Sequence, residues 1–551
     1  MTSPMSETYD WICIGSGTSG LAAAVFGHDR GMKTLVLEKD DLVGGTTAQG
    51  AGLLYVPMNH LQAAAGVRDS RDEALKYLQY LGGPYADPRY QAAFLDNVAQ
   101  VVAYLQEKAG VDFRISEMID FWAPNSEGGW RHREDVDAGS KRTGRSLIPK
   151  PFPAETLGAW RDKARLDWFH HGLGEQLEGQ EHNPSLGRLT KNATLGPHIG
   201  HSGPVRDADT MAMRLWRKRL GPDLDRYLNL DEEHRVGGAA LIAYLLRAVV
   251  QRGVEVALGS RVTELMLDRS GRVVGVQVAS GSGARPIQAR RGVLIATGGG
   301  MGWRLAVGAG GMVKASPNLA ALPGGFGVPD ERGLQRMNYE ARMRHSMIVN
   351  RFGQRFGDEV PYQGQTIGLM KFDSHGEHRW VNVPNFLVFD SQAIEKYSFA
   401  GRPPGETEGL EWLKRGNTVA ELAEALGINA AGLVQSVQRF NAHVAAGSDP
   451  DFHRLPETLG PLSKGPFYGI QCDPPTFDPM DATISAIADL NGQVMHHETG
   501  EPIAGLYGAY TGGTLSQTRK KVFGYGYTAG LGQATSITFD WLAAAHAAAQ
   551  P

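Results

Sequence analysis

The apolar positions of this 551-residue chain change period along its length, and each change marks an element. From Tyr9 to Ile14 they run almost unbroken, as in a short strand buried on both faces. Gly15-Ser16-Gly17-Thr18-Ser19-Gly20 ends that run, and the alanine-rich stretch from Leu21 reads as a helix. Lys33 to Leu37 is a second strand closed by Glu38, and Gly292 to Ile295 is a third. Between Asp69 and Ala109 the spacing of Ala74, Tyr77, Leu78 and Leu81, then Phe94, Val98, Val101 and Leu105, predicts paired helices. Leu241 to Val250 reads as an amphipathic helix entering the strand Val254 to Leu258. Arg261 to Leu265 opens a meander in which Val273 to Val278 alternates like a half-buried antiparallel strand. Further on, the pattern predicts a strand at Asn385 to Asp390 and helices over 419–425, 430–440 and about 533–548. From Trp122 to Val205 there is little periodicity; a stretch this long suggests a binding segment or an ordered excursion over a site.

Strand, G-x-G-x-x-G and helix together form a dinucleotide fingerprint. Gly15 makes the tight turn, Gly17 lets the backbone approach a pyrophosphate, Gly20 allows close packing, and the helix N-terminus faces the phosphate charge. Glu38 stands where an acidic side chain takes ribose hydroxyls. A second loop of small residues, Gly44-Gly45-Thr46-Thr47-Ala48 with Gly50 and Gly52, has no evident use in a nicotinamide-only domain and suits a cofactor held in the interior. Parts of the cofactor domain recur at the start, middle and end of the chain. The expected division is therefore 1–310 for its first part, including an excursion over 69–235, 311–465 for an inserted cap, and 466–551 for its return.

Composition narrows the classes. A charge of -4, from 55 basic and 59 acidic residues, offers no basic stripe for nucleic acid. Cys13 and Cys472 do not make a disulfide framework, and Cys13 lies within a buried strand, which points to a reducing compartment. The short polar start, with no signal or twin-arginine pattern, leads to the expectation of a cytoplasmic protein. No run of apolar residues is long enough to span a membrane, while peripheral association through an apolar patch stays open. There is no C-x-x-C-H, and His496 and His497 lack metal-site spacing, so no haem and no metal are expected.

The two glycine loops, Ala296-Thr297-Gly298-Gly299-Gly300 and Gly505-Leu506-Tyr507-Gly508-Ala509, resemble the FAD-binding fold of the fumarate reductase flavoprotein superfamily. Within it, Val56-Pro57-Met58-Asn59-His60, Gly144 to Phe152, Leu387 to Asp390, Arg439-Phe440-Asn441 and Gly465 to Tyr468 look like the 3-ketosteroid 1-dehydrogenases and their relatives on smaller cyclic ketones. The resemblance implies an α/β fold: a Rossmann-like, glutathione-reductase-type FAD-binding domain with an inserted α+β catalytic cap. It also implies non-covalent FAD, held by Gly15, Gly17, Thr18, Ser19, Gly20, Glu38, Lys39, Gly44, Gly45, Thr46, Thr47, Ala48, Gly50 and Gly52 near the front. Val262 near the adenine, Ala296, Thr297, Gly298 and Gly299, and finally Gly530, Gln533 and Ala534 complete that set.

The activity implied is insertion of a carbon–carbon double bond beside a ketone. The ketone oxygen is polarised, a tyrosinate-like base takes the neighbouring proton, and hydride passes to the flavin. Gly530 aligns with the family's carbonyl-binding glycine. The family's tyrosine four residues earlier meets Gly526 here, flanked by Tyr525 and Tyr527, so the phenol is displaced by one position or both tyrosines only pack against the cap. Where the family has an early tyrosine, this chain has Phe121-Trp122-Ala123-Pro124, with Trp122 as an aromatic wall. Tyr362 is a further candidate base. Arg519, within Arg519-Lys520-Lys521, belongs to a solvated face, or binds a substrate carboxylate, or donates a proton in an enzyme reducing activated alkenes. The implied partners are a hydrophobic cyclic ketone and an electron acceptor that is a quinone, a dye-like carrier or oxygen. The other readings are that alkene reductase and a flavin-binding protein without turnover.

Overall fold

A computed structural model describes residues 8–48, 52–116, 120, 139–141, 143–165, 234–235, 237–281, 283–298, 302–315, 344–359, 368, 371–397, 405–407, 410, 412–452, 454, 456–472, 484–508, 516–524, 526, 528 and 530–551. Trp122, Tyr362, Tyr525, Tyr527, Gly50 and Gly299 lie outside these residues, as does most of the aperiodic stretch 122–205.

The first unbroken apolar run is strand β1 (Thr8–Ile14), followed by helix α1 (Thr18–His28) and β2 (Thr34–Leu37). The next elements are β3 (Leu54–Tyr55), α2 (Arg71–Gly82), α3 (Pro88–Ala109), β4 (Phe113–Ile115), β5 (Ser146–Pro149) and α4 (Gly237–Gln251). Both expected helices of the 69–109 stretch carry sequence-encoded starts. The Ser70 side chain accepts from the Glu73 amide, and Asp87 caps α3 with Pro88 in its first turn. Gly110, in the left-handed region, then stops α3.

Strands β6 (Glu255–Ala257), β7 (Val262–Leu267), β8 (Val273–Ser280) and β9 (Gly283–Ile295) follow. Among the described residues the central sheet has eight strands. Its main path is β16 (Gln493–Met495), β17 (Pro502–Tyr507), β9, β1, β2 and β6. β1 runs parallel to both β2 and β9, with Ile12 opposite Leu35 and Val293. β7 and β8 extend antiparallel from β9 as the expected meander. Burial on both faces explains why β1 and β2 read as continuous apolar runs. On one side, α1, α3, α4 and the last helix, α8 (Leu531–Ala549), enclose a core with Trp11, Phe26, Leu241 and Phe539; the meander closes the other side around Ile12, Val276 and Val293.

The second unit is a four-stranded antiparallel sheet. Its order is β11 (Ser346–Asn350), β12 (Asn385–Asp390), β14 (Phe467–Cys472) and β13 (Lys414–Gly416), backed by α5 (Val419–Leu426) and α6 (Ala430–Ala445). β12 has the expected bounds. The expected boundary at 465, however, cuts off β14, which pairs with β12 from Asn385 opposite Cys472 to Asp390 opposite Phe467. The cap sheet therefore extends past that boundary. β10 (Val313–Ala315) and β15 (Ile484–Ala486) pair antiparallel close to the two crossings of the chain.

Candidate flavin and ketone site

The glycines of the first loop do different work. A Cβ on Gly20 would lie 1.8 Å from the Gly15 carbonyl oxygen, and one on Gly15, at φ +110°, would lie 2.6 Å from that of Ala296. Both are glycines because backbone meets backbone. Gly17 differs, since only Thr47 Oγ1, at 3.5 Å, comes within 4 Å of its Cβ position. Its face is open, and it begins α1 with no cap of its own; the Thr18 amide donates to Thr47 Oγ1 at 3.3 Å, and the helix start beyond it suits an anion.

Side chains join this loop to the others. Glu38 is buried and accepts from the Ser16 amide at 2.9 Å and from its hydroxyl, while the Asp40 amide donates to the other carboxylate oxygen at 3.0 Å. An ionised carboxylate has lone pairs beyond these three, which fits it for ribose hydroxyls as well. The Gly44 amide donates to Ser16 Oγ at 3.1 Å, and Thr18 and Thr47 meet oxygen to oxygen at 3.2 Å. The Ser260 amide reaches the Glu38 carbonyl at 2.7 Å, so the chain entering β7 at Val262 arrives at the ribose end. The Ala296 amide bonds to Ile14 at 2.9 Å; Thr297 Oγ1 is buried without a partner among the described residues, and Gly298 has nothing within 4 Å of its Cβ position. Thr46 and Lys39 are exposed, and the Lys39 ammonium lies 3.3 Å from Asp40.

The C-terminal part of the set comes to the same place. Gly530, at φ +84°, is the N-cap of α8 with no side-chain cap, and Gln533 and Ala534 lie in the first turn. The Gly530 carbonyl accepts from the Tyr55 amide at 3.1 Å, and a Cβ on Gly530 would lie 2.7 Å from the Leu53 and Leu54 backbone. The segment leaving the second glycine loop is thus clamped against the start of α8. These helix ends without side-chain caps, open glycine faces and remaining acceptor sites fit FAD.

Comparison with known proteins gives the same cofactor. The sequence profile of the FAD binding domain matches residues 10–321, more than half the chain. This chain belongs to that family. It is 30% identical to the 3-oxosteroid 1-dehydrogenase of Mycobacterium tuberculosis (strain ATCC 25618 / H37Rv), with 99% of each chain covered. It is 28% identical to the 4-oxocyclohexanecarboxylate 2-dehydrogenase of Sinomonas cyclohexanicum, over 91% of this chain and 87% of that one. In fold it resembles the 3-ketosteroid delta1-dehydrogenase of Sterolibacterium denitrificans, with a TM-score of 0.76, 24% identity and coverage of 99% of this chain and 100% of the other. The flavoprotein is an FAD-dependent oxidoreductase.

Arg519 departs from the solvated reading. It lies in α7 (Gln517–Phe523), 3% exposed, and its guanidinium donates to the carbonyls of Gly524, at 3.0 Å, and Gly526. Lys520 is buried too, and Lys521 donates to the Tyr90 hydroxyl at 2.8 Å and to the Ala488 carbonyl at 3.2 Å. The three cations hold backbone and side chains inside the protein because α7 is wedged against α2 and α3. A Cβ on Gly524 would lie 2.2 Å from the Gly82 carbonyl oxygen.

A buried ionic cluster behind this loop is not foreseen from the sequence. The Arg145 guanidinium donates to both Asp69 oxygens, at 2.9 and 2.6 Å, to Asp120 at 2.9 Å, and lies 3.4 Å from the Tyr55 hydroxyl. Burial pushes the Asp120 carboxyl up to about 6, more than the Arg145 charge lowers it. Burial raises Asp69 as well, but Arg145 outweighs it and holds this carboxyl below its ordinary value. Tyr55 and Tyr77 are buried, and burial followed by the Asp120 charge drives both phenols well above their ordinary value. They remain protonated, so neither serves as a tyrosinate base.

Elsewhere, His443, Asp449 and Asp451 come together. Both oxygens of Asp449 take Arg355 and those of Asp451 take Arg439, so guanidinium groups already balance these carboxylates. Among the described residues no helix is long and apolar enough to cross a membrane.

Proposed function

We propose that this flavoprotein introduces a carbon–carbon double bond beside the ketone of a hydrophobic cyclic substrate, a 3-ketosteroid or a smaller cyclic ketone. The observation that carries this reading is Gly530, a left-handed residue at the uncapped start of α8, held by Tyr55 at the end of the second cofactor loop. Its amide and the positive end of α8 are preorganised for an oxygen that becomes negative as the neighbouring carbon loses a proton. Bound FAD supplies the hydride acceptor of such a desaturation. Gly15, Gly17, Gly20, Glu38 and Gly44 to Ala48 hold its pyrophosphate and ribose. Tyr525, Tyr527 and Tyr362 are the candidate phenols for proton removal, and Trp122 is the candidate aromatic wall. Arg519 holds the carbonyls of Gly524 and Gly526, on either side of Tyr525 in the sequence. Electrons leave to a quinone, a dye-like carrier or oxygen.

The relatives named for 3-oxosteroids and 4-oxocyclohexanecarboxylate support the ketone class. The alkene-reductase reading gains nothing from Arg519, since this guanidinium already serves two backbone carbonyls. The test is anaerobic mixing of the holoenzyme with a 3-ketosteroid and with 4-oxocyclohexanecarboxylate. Flavin bleaching with one of them is expected. Bleaching by neither, together with reoxidation of reduced enzyme by an enone, would replace this reading with its reverse.

A further inference from the structure

Tyr55 occupies the junction of three groups that the desaturation needs in register. Its backbone amide donates to the Gly530 carbonyl at 3.1 Å. Its ring packs edge-on against Phe523, the last residue of α7, with centroids 5.9 Å apart, and against Tyr77 at 6.0 Å. Its hydroxyl faces Arg145 at 3.4 Å, inside the cluster with Asp69 and Asp120. Phe523 and Gly530 are the two ends of the loop that carries Tyr525 and Tyr527. One side chain and its own amide therefore touch both ends of that loop.

The other supports converge on the same loop. Thr528 is buried, and the Arg145 guanidinium lies 5.7 Å from the Tyr77 ring centroid. Asp120 binds Lys141 through backbone and carboxylate and is followed directly by Phe121-Trp122 in the sequence. Arg145, Asp69 and Asp120 are almost wholly withheld from solvent, and breaking such a pair by removing one partner strands a charge. The cluster is rigid for that reason.

We infer that Tyr55, seated on the Arg145–Asp69–Asp120 cluster, is a positioning residue that fixes Phe523 and Gly530 relative to each other and so aims the Gly530 amide at the ketone oxygen. This inference rests on the desaturase reading for its chemistry but not for its geometry. Small displacements of a polarising donor cost up to about a hundredfold in rate, because donor and oxygen must meet in the transition state.

The test compares holoenzyme carrying Tyr55→Leu, which removes the ring, with Tyr55→Phe, which keeps it. Two readouts are taken: deuterium uptake of the peptide spanning 523–531, and the anaerobic rate of flavin reduction at saturating 3-ketosteroid. Tyr55→Leu is expected to speed exchange in that peptide and slow reduction about tenfold or more, with ketone affinity changed far less, and Tyr55→Phe to recover most of both. Unchanged exchange in Tyr55→Leu would overturn the inference whatever the substrate proves to be. Faster exchange with an unchanged reduction rate would overturn it too, marking the contact as packing only. Failure of the wild-type flavin to bleach would sink the desaturase reading instead, leaving exchange to decide the geometry. If Tyr55→Leu does not retain FAD, Phe523→Leu, which removes the partner ring, is read for the same faster exchange and slower reduction, and no shift in either would overturn the inference.

Discussion

Asp540→Asn probes a carboxyl group sealed between α1 and α8. Asp540 is fully buried in α8, accepts from Ser536 Oγ at 3.1 Å and interacts with Ser19 in the first turn of α1. Burial raises its pKa from 3.8 to about 8, against the smaller lowering by the two hydroxyls. The folded protein thus holds a proton that the unfolded chain releases near pH 4. Its contribution to stability is complete below the unfolded value and is lost as pH rises through about 8. One pKa unit corresponds to about 1.4 kcal/mol, so from about pH 5 to about pH 8 the wild type loses roughly 3–4 kcal/mol at this site. Asn keeps an acceptor for Ser536 and carries no proton to lose.

For a chain of 551 residues, unfolding entropy of about 2 cal/mol/K per residue makes 1 kcal/mol worth roughly 1 °C in Tm. The difference in Tm between Asp540→Asn and wild type should therefore shift in favour of the variant by about 3–4 °C across that pH range. Differential scanning calorimetry of both holoproteins reads it directly. Asp120 titrates within the same interval but is common to both proteins and cancels. Cys13, which faces Asp540 from β1, is itself pushed well above its ordinary value and stays neutral. A Tm difference constant to about 1 °C over the interval would refute the buried neutral acid.

Two further predictions separate cofactor binding from folding. Gly20→Ala should fail to yield soluble holoprotein, because the new methyl group falls 1.8 Å from the Gly15 carbonyl oxygen, whereas Gly17→Ala should fold and bind FAD about tenfold or more weakly, as measured by calorimetric titration of the apoprotein. Equal behaviour of the two would contradict their division of labour. Glu38→Gln should weaken FAD binding by about 1–2 kcal/mol in the same titration, through loss of charge-assisted acceptance from ribose and from Ser16; unchanged affinity would remove Glu38 from the ribose site.

The cofactor half of the site was legible in the sequence because its demands are local. Gly15, Gly17 and Gly20 sit within one turn, and the buried strands around them must be apolar throughout. The cap boundary was less legible, since pairing of β14 with β12 joins residues such as Phe467 and Asp390 that no periodicity connects. Arg519-Lys520-Lys521 misled for a related reason: charge normally marks a solvated face, and only the close approach of Gly524 to Gly82 shows that α7 is enclosed. Asp69, Asp120 and Arg145, far apart in the chain, carry no spacing that links them, yet the fold removes them from water together.

That contrast bears on how the chemistry is distributed. The first glycine loop touches the second through Ser16–Gly44 and Thr18–Thr47, and the second continues through Gly52 into Leu53 to Tyr55, where Gly530 is clamped. A disturbance confined to residues 15–20 can weaken the hold on FAD without moving Gly530. One at residues 52–55 acts on the segment that holds Gly530, the proposed ketone donor. Gly52 has no room to adjust there, because a Cβ on it would lie 2.5 Å from the Gly237 backbone at the start of α4. In the proposed desaturation, the stretch from Gly52 to Tyr55 would therefore couple the hold on the flavin to the placement of Gly530.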